Sequence, residues 1–484
     1  MSLLCCRGTR PTTPSLELTR ITCPAALGPL SPSALAQYRS LLFGEPSALL
    51  RHRFAALLQL AHDRISAQPY ATVPTSARRF YSEIGLLWSL VDALTPEGRS
   101  EVNWETSVGR LDRVLIIAGA PGRVDLVLAL IEHVQETHLP RTPPAPGPKT
   151  EATSSPRRAK RARHDGPPAS PLAPNEIPRL ATAPSLSAYL KLWLDQPFIL
   201  PGHLVEAGWP ALVDPSRRWK DGHYLLRAGG RGRVVPVEID AAQQDGEGCG
   251  GGGGYTDAGW GQALLPWDEF LARAGFLRRV DDEEGLAKAP TAPERPPLYL
   301  AQHDLFFQFP GLARDILTPD YVYASPPIAP DATYQPPATE SGVLTNVWVG
   351  DAGRGSPAHT DPFYNCYAQV VGRKRVFLVP PKHHAAMYPY ASGEGADCSD
   401  DDDNAADASS DEGGATALMS NTSRLPLLQA TPPSPTRFPR FYAEALPDAL
   451  EGVLEAGDLL VMPVGWWHAM RMEGGPGWGC SFWY

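Results

Sequence analysis

The stretch "SPAHTDPFYNCYAQVVGRKRVFLVPP", Ser356 to Pro381, holds the residues best suited to chemistry. His359 and Asp361 stand two apart, and residues two apart on a strand face the same way. Both can then point into one cavity. A third ligand has to come from another strand, and His468, in the run "VMPVGWWHAM", is the histidine further along in a strongly apolar strand context. Two imidazoles and one carboxylate on one face leave about three positions open on an octahedral metal, the facial arrangement of non-haem Fe(II) oxygenases. Zinc also suits these ligands. A structural His–Asp pair is the metal-free alternative, because H-x-D recurs by chance.

Lys374 adds a second element. It lies beyond a turn expected at Gly372-Arg373, in an otherwise apolar strand. A lysine turned into a barrel is costly unless an anion neutralises it. A dicarboxylate co-substrate would do so, chelating the metal at one end and offering its far carboxylate to the ammonium. Ser356 and Asn365 lie close enough in sequence to add hydrogen bonds. The alternative is a solvated edge lysine between Arg373 and Arg375.

The elements that must position these residues fall in the second part of the chain. From about Ile177 the runs "RVVPVEI", "LTNVWVG", "YNCYAQVVGRKRVFLVP", "EAGDLLVMPVGWWHAMRM" and "GWGCSFWY" alternate in strand fashion. Turn punctuation at Gly372-Arg373 and Gly457-Asp458 favours antiparallel pairing, and a barrel or jelly roll would manage so many short strands. Two low-complexity insertions, within 240–254 and 391–418, read as disordered surface loops.

Residues 31–139 read as helices. Leu50, Phe54, Leu57, Leu58 and Ala61 form one apolar stripe; Phe80, Ile84, Leu87, Trp88 and Val91 form the next. His52, His62, His133 and His138 share no metal spacing and read as ordinary surface or boundary histidines. Residues 1–30 read as a disordered start, and 140–176 as a Pro-rich disordered linker. Within that linker Arg157, Arg158, Lys160, Arg161 and Arg163 read as a nuclear-import signal, with a solvated basic linker as the alternative.

The bulk numbers bound this reading. The 484 residues suggest two domains with linkers, and 52 prolines with 44 glycines predict long irregular insertions. A net charge of −10 argues against wholesale coating of nucleic acid. Seven cysteines without a CxxC pair read as free thiols of a reducing compartment, although adjacent Cys5 and Cys6 could accept palmitate. No signal peptide, myristoylation start or membrane span is evident, so the expectation is a soluble intracellular protein, nuclear and/or cytoplasmic.

Several motifs together resemble the JmjC (Jumonji-C) family of 2-oxoglutarate oxygenases. They are the opening stretch, "GDLLVMPVGWWH" and the terminal "GCSFWY", with "PRLATAPSLSAYL", "GRVVPVEI", "GGYTDAGW", "YLAQHDLFFQFPGLARDILTPDY" and "SNTSRL" in order between Ile177 and Tyr484. The resemblance is greatest to the branch of JmjC domain-containing protein 5, also called lysine-specific demethylase 8. It implies an α+β chain with an all-α N-terminal domain, then a cupin-like double-stranded β-helix with flanking helices over 177–484. It implies that His359, Asp361 and His468 hold Fe(II), and that Tyr255, Ser356, Asn365 and Lys374 hold 2-oxoglutarate, with O₂ as the other co-substrate. Tyr255 enters only through the resemblance, and a glycine-rich insertion directly precedes it.

The branch also implies a protein or peptide substrate, with arginyl C-3 hydroxylation as the reaction and histone lysine demethylation as its competitor. Glu238 and Trp348 occupy matching places and would offer a carboxylate and an aromatic face to a cationic side chain. Core packing for Trp348 and a rim position for Glu238 are the alternatives. A catalytically silent scaffold and a zinc-dependent hydrolase are the competing functions. No membrane or direct nucleic-acid partner is expected.

Overall fold

The computed structural model describes residues 47–94, 103–139, 171–240, 260–277, 298–327, 334–390, 420–429 and 431–484. The first thirty residues, most of the expected linker with its basic cluster, and nearly all of both insertions lie outside them. Two compact units result.

Among the described residues the first unit contains four α-helices, α1 (Ser47–Ser66), α2 (Thr75–Leu94), α3 (Trp104–Ala118) and α4 (Val124–His138), together with the segment Gly230–Val234. Asn103 caps α3 by accepting from the Thr106 N–H, and Gly119 ends it in the left-handed region at φ 68°. Leu50, Phe54, Ala61, Ile84, Leu87 and Val91 are buried in one apolar cluster with Val108, Leu111 and Val127. Leu57 and Phe80, expected on the inner stripes, point outwards, and Ile65 and Tyr81 pack in the cluster. Within this unit Arg233 forms a buried ion pair with Asp112, which also accepts from the Val234 N–H.

The second unit is built on strands β1 (Asn175–Glu176), β2 (Phe198–Leu200), β3 (Val234–Asp240), β4 (Trp260–Pro266), β5 (Leu298–His303) and β6 (Leu344–Gly350). It continues with β7 (Gly355–Thr360), β8 (Asn365–Val379), β9 (Leu450–Leu454), β10 (Leu459–Met462) and β11 (Trp467–Trp483). Two long strands organise it. β8 and β11 run antiparallel along most of their length. The first half of β8 pairs with β10 and its second half with β9. The first half of β11 pairs with β7 and its second half with β6. One wall therefore reads β1-β9-β8-β11-β7, and the other β2-β10-β8-β11-β6-β5-β3-β4. This is a jelly roll. Its interior holds Ile199, Tyr299, Trp348, Tyr367, Val376, Leu378, Leu460 and Met470, contributed by both walls. Outside one wall lie short helices around Trp219, Trp267 and Phe270; outside the other lies an apolar layer around Phe377, Phe441 and Trp467.

Three expectations need correction. The chain does not turn at Gly372-Arg373; β8 runs straight through, with Gly372 at φ 74°. The positive φ there marks an irregularity within one strand rather than a corner. At Gly457 (φ 106°), by contrast, the chain does turn, passing from β9 to β10. The linker also ends earlier than 176: β1 pairs in parallel with β9, and the N–H groups of Leu172 and Ala173 donate to the Glu451 carboxylate. Asp240, assigned to the first insertion, closes β3. Among the described residues no helix is long and apolar enough to cross a membrane.

Candidate metal centre

β7 reaches the interior through a bulge. His468 on β11 pairs with His359, whereas Met470 pairs with Ser356, so three steps on β7 oppose two on β11. The extra residue lets Ser356 and His359 face the same cavity although they are three apart. Pro357, which has no N–H to offer a ladder, sits in this bulge. Its carbonyl oxygen accepts from His359 Nδ1 at 2.8 Å, and the Trp466 carbonyl does the same for His468 Nδ1 at 3.0 Å. With each Nδ1–H held in this way, both Nε2 lone pairs are left free as ligands.

Both face Asp361. Its Oδ1 lies 3.8 Å from His359 Nε2, and its Oδ2 lies 3.5 Å from His468 Nε2. The potential ligand atoms of all three residues lie within 4.8 Å of one another, and no other such group occurs among the described residues. Burial, with His359 alongside, pulls His468 down to about 4. It is therefore neutral near pH 7, the state a metal requires. Two nitrogens and one oxygen suit an ion that keeps open positions; a closed structural zinc site would take a fourth protein ligand. The residues fit Fe(II).

Lys374 lies across the same pocket. Only 1% of it is exposed. Its Nζ donates to Tyr367 Oη at 2.8 Å and Tyr299 Oη at 3.2 Å, and it approaches the rings of Tyr367, Trp348 and Tyr299 at 4.8, 5.7 and 5.8 Å. No carboxylate pairs with it among the described residues, and burial pulls its amine down to about 7. Its inward direction depends on β8 changing parity. Gln369 pairs with Gly479 and Val371 with Trp478, so β8 spends two residues where β11 spends one. Tyr367 faces inwards before this irregularity, and Lys374, Val376 and Leu378 face inwards after it. Arg373 and Arg375 flank Lys374 and pair instead with Glu455, Glu473 and Glu451.

Trp348, Ser356, Asn365, Tyr367 and Met470 complete a pocket around the three ligands and Lys374. Asn365 is 3% exposed, and its Oδ1 has no hydrogen-bond partner among the described residues. Ser356 acts on the Tyr299 phenol, offsetting part of the rise that burial causes, and the Trp348 indole N–H donates to Ser481 Oγ at 3.0 Å. Trp348 thus stands at the Lys374 end. Glu238, half-buried on β3 opposite Tyr299, is not part of the pocket wall; its charge adds to the burial that raises the Tyr299 phenol. Tyr255 lies outside the described residues.

Sequence reasoning missed Tyr367 and Tyr299. Tyr367 is two residues from Asn365, so strand alternation from that residue would have found it. Tyr299 sits on a distant strand in "LYLAQH" and gave no local signal. It nevertheless supplies a phenol beside Lys374 and Ser356, the kind of contact expected of Tyr255.

A family model described as a cupin-like domain matches residues 195–484. The chain is 31% identical to Jumonji C domain-containing protein 5 of Drosophila melanogaster, over 64% of this chain and 60% of that one. It is 30% identical to lysine-specific demethylase 8 of Xenopus tropicalis, over 61% of this chain and 50% of that one. Identity to the Danio rerio protein of the same name is 26%, over 87% and 84%. The chain thus spans between half and three fifths of the length of the first two relatives.

Proposed function

The chain belongs to the cupin-like JmjC family, and from that premise we propose that it is an Fe(II)- and 2-oxoglutarate-dependent oxygenase of protein substrates. The observation that carries the proposal is Lys374. An ammonium this deeply buried, facing a three-ligand cluster and lacking a counter-carboxylate among the described residues, suits a dicarboxylate that bridges the two.

When bound, the metal and the 2-oxo acid would supply the oxidation: O₂ is consumed, 2-oxoglutarate becomes succinate and CO₂, and a substrate C–H bond becomes C–OH. The protein's own part is to hold and to shield. His359, Asp361 and His468 would carry the ion, the two imidazoles oriented by the Pro357 and Trp466 carbonyls. Lys374 would bind the distal carboxylate, and Ser356, Asn365 and Tyr255 would add hydrogen bonds. The low exposure of the pocket walls keeps competing water away from the reacting groups.

The substrate we propose is an arginine-containing protein segment, hydroxylated at C-3 of the arginine. Glu238, opposite Tyr299 and outside the wall of the co-substrate pocket, and Trp348, whose ring neighbours Tyr299, would receive its cation beyond that wall. Glu238→Ala should then raise the peptide KM several-fold while moving the 2-oxoglutarate KM by less than about twofold, as expected for loss of a charge-assisted contact to substrate alone. The frog and zebrafish relatives are named lysine demethylases, which favours histone lysine demethylation as the second reading. Mass spectrometry of arginine peptides incubated with protein, Fe(II) and 2-oxoglutarate separates the two. One added oxygen on arginine supports hydroxylation; loss of a methyl group from lysine with formaldehyde release supports demethylation. Peptides left unchanged beside a metal-loaded protein would favour the silent scaffold. We also propose a nuclear and/or cytoplasmic site of action, tested by whether replacing the five basic residues at 157–163 abolishes nuclear signal.

A further inference from the structure

We propose that Tyr367 is a co-substrate contact, donating its hydroxyl proton to the same distal carboxylate that Lys374 neutralises; this rests on the pocket being a 2-oxoglutarate site. The phenol is almost fully buried and forms part of the pocket wall. Its oxygen accepts from Lys374 Nζ at 2.8 Å, the shorter of the lysine's two bonds. A phenol that accepts in this way still has its own proton to give, and no acceptor for that proton occurs among the described residues. Burial pushes the phenol well above its usual range, so the proton is retained. A buried donor without a partner is costly. A carboxylate held by Lys374 would supply the missing acceptor.

The opposite strand is built to admit this phenol. Gly479 of β11 lies beside Trp348 of β6 and Gln369 of β8, and a Cβ at 479 would overlap the Tyr367 hydroxyl. Two residues on, Ser481 holds the Trp348 indole. Gly479 makes the space and Ser481 fixes the neighbouring wall, so the hydroxyl is held at one depth beside the ammonium. Tyr367 thereby becomes a specificity-determining residue, favouring an acid with a second carboxylate at that depth.

The test is calorimetric titration of the metal-loaded full chain, without oxygen, using 2-oxoglutarate and 2-oxopentanoate, which lacks the distal carboxylate. Tyr367→Phe keeps the ring and removes only the hydroxyl. It should weaken 2-oxoglutarate binding by about tenfold, the scale of one hydrogen bond to a charged group, and leave 2-oxopentanoate within about twofold. In turnover the loss should fall on the KM for 2-oxoglutarate rather than on kcat. Equal weakening of both acids, or no weakening of either, overturns the assignment while leaving the pocket's identity intact. Failure of the wild-type protein to bind 2-oxoglutarate at all overturns both. Gly479→Ala gives an independent check: in chains that fold, it should reproduce the selective loss by displacing the phenol.

Discussion

Lys374 is a residue whose position opposes stability and, under the proposed function, serves binding. Its amine is pulled from the usual lysine range to about 7 by burial. Between that value and the ordinary lysine pKa the unfolded chain holds more protons than the folded one, so this residue's contribution to stability improves as pH rises above 7. Anion binding runs the opposite way, because the bound carboxylate needs the protonated amine. The affinity for 2-oxoglutarate should fall as pH rises from 7 to 9, with uptake of up to about one proton per site, read by calorimetry in buffers of different ionisation enthalpy. An affinity that holds constant over this range would contradict it. Lys374→Met should abolish measurable 2-oxoglutarate binding while raising the thermal midpoint, since it replaces a buried charge with an apolar chain of similar size.

At the scale of elements, bulges do the positioning. The irregularity of β7 at Pro357 brings Ser356 and His359 to one side, and the parity change in β8 brings Lys374 to the side of Tyr367. Gly372, just past that change, takes a positive φ, and a Cβ there would run into the Pro476 carbonyl oxygen. Gly372→Ala should therefore destabilise the chain by about 2 kcal/mol or more, measured by urea unfolding. These irregularities explain which parts of the site were legible in the sequence. The pair His359 and Asp361 follows from a spacing of two, and His468 from its apolar strand. Lys374 could not be given a face, because strict alternation from Asn365 would have turned Arg373 inwards instead. The same bulge imitated a turn, since Gly372-Arg373 has the composition of one. Tyr299 depends on pairing between β5 and β6 across many intervening residues, which no local pattern encodes.

For the whole molecule, the change from helical periodicity to alternating strands in the sequence matches the change of element type in the structure, because period 3.6 and period 2 bury different sets of residues. The inner stripes were read less well: Leu57 and Phe80 are apolar yet exposed, and periodicity alone does not say how wide a buried face will be. Nor did composition point to Asp112 and Arg233, a buried ion pair inside the helical unit whose members lie far apart in sequence. Asp112→Ala removes the carboxylate from a guanidinium only 6% exposed and should cost about 3 kcal/mol or more in the unfolding of that unit. A second, lower-denaturant transition in the variant would report it.

The central claim is that three ligands and one buried ammonium serve a single reaction. Succinate release from the full chain with Fe(II), ascorbate, O₂ and 2-oxoglutarate, followed by NMR, tests it directly. The wild-type protein should form succinate in step with 2-oxoglutarate loss, and His359→Ala and Lys374→Ala should each fall to background. Succinate formation undiminished in either variant, or absent from wild-type protein that has retained its iron, would contradict the account.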